Sequence, residues 1–195
     1  MHAFSFAALQ QRFASVTSQQ IAPLPGFAPT VGRLVAMLTY ARQTLLTAVA
    51  GLSPDDLDHL HDAHSNSIGA LLAHAAAVER WYQILTFEAR RPSAHDEAPW
   101  LAALDLGDEG RRLLRGRTLA AYVDELADVR ARTLTQLARR DDAWLEAPLA
   151  AAPEMNAHWA WFHVAEDEIS HRGQIRWLRA RLPKDGDASQ LRRPP

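Results

Sequence analysis

The run HVAEDEISHRGQIRWLR, residues 163–179, sets His163, Asp167 and His171 at successive steps of four. On a helix such residues stand one turn apart on nearly one face, about 6 Å along the axis. An imidazole and a carboxylate so placed can reach one ion, and both suit Zn, Ni, Fe or Mn. The face drifts by about 40° at each step of four. Asp167 and His171 therefore share an ion more readily than His163 and His171 do, and His163 is left as an alternative ligand or a neighbour of the site. Two ligands leave a divalent ion under-coordinated, so a third must come from elsewhere. His74, in NSIGALLAHAAAVERWYQ (residues 66–83), sits among Ala and Leu. Such a segment faces a bundle interior and lets another helix approach. Three protein ligands and one water make an open site, the pattern of catalytic rather than structural metals. Two neutral imidazoles and one carboxylate leave the ion with a net charge of about +1, which favours a bound hydroxide, thiolate or enolate. The same residues also have plainer uses. A single His in an apolar helix serves as a hydrogen-bonded core residue, and an Asp–x–x–x–His pair serves as a solvated salt bridge.

Other chemistries lack their residues. There is no His–Glu–x–x–His of a zincin, no P-loop, no dinucleotide fingerprint and no Gly–x–Ser–x–Gly. Glu168 and His171 form one Glu–x–x–His, where a di-iron bundle needs two. Glu79 and Glu168 fall about 140° and 100° off the stripe that carries His74 and Asp167. They are expected to be structural or surface groups, which leaves no evident general base. Gly173 costs about 1 kcal/mol relative to Ala in a helix interior, so close packing is its expected role. Gln174 is expected to serve packing or to hydrogen-bond in the site.

These residues need helices to position them. Apolar residues recur at spacings of three, four and seven over 30–51, 66–90, 118–140 and 157–182. Gly51, Pro92 and Pro183 mark three of the ends, and Asn66 or Ser65 is expected to cap the second helix. The pattern predicts an all-α chain, a four-helix bundle with an extra N-terminal helix. Residues 1–29 comprise that weak helix (4–20) and a Pro-rich connector, 30–183 the bundle, and 184–195 a polar tail. The connections are longer than tight hairpins require, which points to crossovers. The segment 52–65 is polar, 92–117 holds a short helix near 100–104, and 143–156 is a linker. No strand-like alternation competes.

Composition removes whole classes of partner. The 21 Lys and Arg are offset by 23 Asp and Glu, for a net charge of −2, so nothing calls for nucleic acid or an anionic membrane. Arg172, Arg176, Arg179 and Arg181 cluster near one helix C-terminus, where cations complement the helix dipole. There is no Cys, which excludes thiolate ligands and a Cys nucleophile in this chain. No apolar run approaches a membrane span. The first residues lack a signal peptide's charged and apolar regions, so the expected location is cytoplasmic. Six Trp are expected in the core or around a pocket.

The two segments around His74 and around Asp167–His171 together resemble the DinB/YfiT superfamily of metal-binding four-helix bundles. The resemblance spans essentially residues 30–182. Its pattern is a His in the middle of the second helix, and a ligand four residues before a His–Arg–Gly–Gln-like segment in the last helix. The matching positions are His74, Asp167 and His171 of His171–Arg172–Gly173–Gln174. Many members carry three His. Asp at 167 is similar to the mycothiol-dependent maleylpyruvate isomerase branch. The resemblance implies a divalent metal (Zn, Ni, Fe or Mn) on His74, Asp167 and His171. It also implies a transferase using a low-molecular-weight thiol such as bacillithiol, mycothiol or glutathione, with a small electrophile as the other substrate, and a homodimer. The alternatives are a hydrolase with metal-activated water, or a non-catalytic metal-binding stress-response protein.

Overall fold

The four stretches that the sequence marks as helical are long helices in a computed structural model, which describes residues 20–183. They are α1 (Pro29–Val49), α3 (Ile68–Phe87), α7 (Leu119–Leu137) and α9 (Ala157–Arg179). The N-terminal helix expected over 4–20 and the tail expected over 184–195 lie outside the described residues, apart from Gln20. Five short helices fill the connections: α2 (Pro54–Asp58), α4 (Ala94–Glu97), α5 (Leu101–Asp105), α6 (Gly107–Leu113) and α8 (Asp142–Glu146). The described residues are all-α apart from one antiparallel ribbon of β1 (Pro148–Leu149) and β2 (Ala152–Asn156). That ribbon departs from the strand-free expectation, because two and five residues are too few to show a period.

Packing explains the long connections. Helix α9 lies along α1 and α3, α3 lies along α7, and α7 meets α1 more sparsely. Consecutive long helices across the first and third connections therefore stand diagonally in the bundle, which is the crossover arrangement the loop lengths implied. Helix α5 packs on α3 and brings the middle connection over the helix that carries His74.

Local chemistry fixes the ends. Ser67, rather than Asn66 or Ser65, caps α3, its side chain accepting from Ala70 N at 3.1 Å. Asn156 caps α9 by accepting from Trp159 N at 2.8 Å. Helix α1 starts after Ala28, whose side chain cannot cap. Its first amides are satisfied from 112 residues away: Asp142 Oδ1 accepts from Thr30 N at 2.8 Å and from Val31 N at 3.1 Å. The core carries Trp161, fully buried and stacked on Phe87, which stacks in turn on Trp144. Trp159 and Trp177 are exposed.

The interior also holds charge. Arg42 of α1, Glu79 of α3, Arg130 of α7 and Glu168 of α9 are all buried, one from each long helix. Arg42 donates to Glu168 (2.7 and 3.1 Å) and to Glu79 (2.8 Å). Arg130 donates to Glu79 (2.8 and 3.1 Å) and to Glu168 (2.6 Å). The remaining guanidinium nitrogens cross reciprocally. Arg42 Nη1 reaches Leu126 O at 2.6 Å and Arg130 Nη1 reaches Leu38 O at 2.8 Å. Thr133 donates to Glu79 at 2.6 Å. Burial pushes the Glu79 carboxyl up, but the guanidinium groups of Arg130 and Arg42 outweigh it and hold it below the usual range.

Candidate metal centre

Helix α9 presents Asp167 and His171 one turn apart, and α3 lies beside it with His74 opposite. The Nε2 atoms of both imidazoles converge on one carboxylate oxygen. Asp167 Oδ1 is 3.2 Å from His171 Nε2 and 3.6 Å from His74 Nε2. Two ligand atoms bound about 2.0–2.2 Å from a tetrahedral ion stand roughly 3.3–3.6 Å apart, so these two spacings lie close to that range. The imidazole rings meet edge to face at 4.9 Å. One ligand atom from each of the three residues lies within 4.8 Å of the others, and the group could hold a metal ion.

Hydrogen bonding sets the orientation. His74 Nδ1 lies 2.8 Å from Ala103 O in α5. A proton on Nδ1 satisfies that carbonyl and leaves the Nε2 lone pair facing Asp167, the arrangement seen for metal-ligating His. Two buried polar atoms at the site, Asp167 Oδ2 and His171 Nδ1, have no hydrogen-bond partner among the described residues. A carboxylate with one orphaned oxygen in a buried setting is costly unless a cation or donor completes it.

The electrostatics follow from these contacts. Burial pushes the Asp167 carboxyl up, but contact with His171 and His74 outweighs it and holds it well below the usual carboxylate range. Burial lowers His74, but the Asp167 carboxylate and the carbonyls of Ala103 and Leu104 raise it above its ordinary value. Tyr82, one helix turn beyond Glu79 on α3, is pushed up to about 12 by burial and by the charge of Asp167. At neutral pH it keeps its proton and can donate but not act as a base.

The other sequence candidates fall outside this group. His163 pairs with Glu166 at 3.0 Å, stacks on Trp159 at 5.2 Å, and meets Tyr82 edge-on at 5.7 Å. It belongs to an aromatic wall beside the site. Glu79 and Glu168 are structural, as expected, but they are buried in the four-charge cluster rather than on the surface. Gly173 does not serve close packing: a Cβ there would meet nothing within 4 Å. Gln174 is exposed. Of the Arg cluster, Arg172 donates to Thr44 Oγ1 (2.6 Å) and Arg179 to Ala48 O (2.7 Å), tying α9 to α1. Sequence reasoning missed Arg42 and Arg130. Each stands on the apolar stripe of its own helix, Arg42 four residues after Leu38 and Arg130 four after Leu126. A charge on such a stripe was the signal available.

Among the described residues, no helix is long and apolar enough to cross a membrane. A family model described as mycothiol S-transferase matches residues 33–184. No curated protein matches the chain.

Proposed function

The chain belongs to the mycothiol S-transferase family, within the DinB/YfiT-like superfamily, and from that premise we propose that it is a metal-dependent S-transferase whose divalent ion is held by His74, Asp167 and His171. The observation that carries this reading is the convergence of both Nε2 atoms on Asp167 Oδ1 at 3.2 and 3.6 Å, beside a carboxylate oxygen with no other partner. A divalent ion held there supplies positive charge that lowers the pKa of a thiol brought to it.

The chain's own residues do the rest. His74 is fixed by Ala103 O with Nε2 inward. Asp167 offers a full negative charge, so with two neutral imidazoles it would leave a bound divalent ion about one unit positive, a charge suited to an anionic sulfur. With no Cys in the chain, the nucleophile must arrive as a low-molecular-weight thiol. Its S–H proton leaves to solvent, because Glu79 and Glu168 are occupied by Arg42 and Arg130. The sulfur then forms a bond to an electrophilic carbon, whose leaving group departs with its electron pair. Tyr82, which lies within the field of Asp167, makes a run of ring contacts with His163 and Trp159.

The test is metal content followed by thiol transfer. Protein purified without chelator or affinity nickel is expected to carry about one divalent ion per chain, and a His74→Ala, His171→Ala variant to carry none. The loaded protein is expected to join mycothiol to a chromogenic aryl halide. A wild type that takes up none of Zn, Ni, Fe or Mn would sink the metal assignment. A loaded protein that conjugates no thiol would sink the transferase.

A further inference from the structure

No residue of α3 is fully exposed. From Ile68 to Val78 every side chain but His74 is buried, and most are Ala or Leu. A helix that can bury any face has no rotation dictated by the hydrophobic effect, which is non-directional. Yet the pairing of His74 with Asp167 requires α3 to stand at one angle against α9. A turn of one residue, about 100°, would carry His74 out of reach.

Directional contacts can supply that angle, and α3 makes them through Glu79. Its two oxygens accept from Arg42, Arg130 and Thr133. One turn on, Gln83 donates to Val129 O at 2.8 Å and Thr133 Oγ1 at 2.9 Å. On α9, Glu168 is the immediate neighbour of Asp167 and accepts from the same two guanidinium groups. The reciprocal bonds to Leu126 O and Leu38 O fix α1 against α7, so both carboxylates are read against one rigid frame. Buried ion pairs contribute little net stability, and their best-attested use is to specify register.

We infer that Arg42, Glu79, Arg130 and Glu168 are positioning residues, which set the rotation of α3 and α9 and thereby hold His74 against Asp167–His171. The inference rests on the metal reading above for its consequence, but its geometric content stands without metal.

The experiment replaces all four charges with apolar residues (Arg42→Met, Glu79→Leu, Arg130→Met, Glu168→Leu), beside a cavity variant outside the cluster, Leu134→Ala. Crystal structures of the metal-free proteins give the separation of His74 Nε2 and Asp167 Oδ1, and titration gives zinc affinity. A folded quadruple variant is expected to lose the 3.6 Å spacing and to bind zinc at least tenfold more weakly. Leu134→Ala is expected to melt earlier with zinc affinity unchanged. A folded quadruple variant that keeps both the spacing and the affinity overturns the inference. Should the quadruple variant not fold, Arg42→Lys with Thr133→Val decides the matter. These keep every buried charge paired, and zinc affinity of the folded protein is expected to drop several-fold. Unchanged affinity with only a lowered melting temperature makes the cluster structural alone. A wild type that binds no zinc overturns the metal function instead, and the metal-free spacing then judges this inference.

Discussion

Asp167 and His74 are moved from their ordinary ionisation in opposite directions by one contact, and the pH behaviour of the site follows from the signs. Asp167 is held below its ordinary 3.8, so in the metal-free protein it contributes stability that is present above that value and lost as pH falls through the depressed one. His74 is raised above its ordinary 6.5, so its contribution is fully present below 6.5 and lost as pH rises through the raised value. The contact stabilises the metal-free bundle most between about pH 4 and pH 6.5. A metal needs the neutral imidazole and competes with that proton. Zinc binding is therefore expected to weaken as pH falls through the raised pKa of His74, and binding at pH 6.5 to be accompanied by net proton release. Calorimetric titration in two buffers of different ionisation enthalpy reads the release directly. A binding heat independent of buffer would contradict it. Asp167→Asn removes the charge that raises His74, so the proton release at that pH is expected to shrink along with the affinity.

The helices that carry these residues were legible in the sequence because each repeats its apolar pattern over four or more turns. The pairing of Asp167 with His171 was legible because a step of four lies within one helix. What joins distant elements was not. Asp142 reads as an ordinary first-turn acid of α8, yet its carboxylate serves the first amides of α1. No local pattern could announce a partner 112 residues away. Asp142→Ala is expected to lower the thermal midpoint by a few degrees and to speed hydrogen exchange at Thr30–Val31, with zinc binding unaffected. Hydrogen exchange unchanged at those amides would mean that α1 starts without help from α8. The β1–β2 ribbon escaped for a different reason: its residues are too few for a period, and its contribution is to deliver Asn156 to the start of α9. Gly173 misled because a glycine in a helix invites a packing explanation, whereas a Cβ there would meet nothing within 4 Å.

At the scale of the whole molecule, the four-charge cluster is where the stability of the bundle and the geometry of its site meet. Arg42, Glu79, Arg130 and Glu168 are four charges with no net charge, held among four helices with almost no solvent contact. Their spacing in sequence, 37, 51 and 38 residues between partners, hides the cluster from any motif. Energetically such a cluster is asymmetric. Removing one member strands a charge in the interior, which costs about 3–5 kcal/mol, whereas replacing all members with apolar groups of similar volume is near neutral or stabilising. Arg130→Met is therefore expected to destabilise the bundle by about 3–5 kcal/mol in chemical denaturation. The quadruple apolar variant is expected to match or exceed the wild type. Because the charges are buried, neither difference should depend on salt, unlike those of exposed pairs. A single variant costing no more than the quadruple one would mean that the interior admits water or ions to the stranded carboxylates. The Arg42–Glu168 and Arg130–Glu79 contacts would then be surface-like in energy, despite their burial, and too weak to set the angle between two helices.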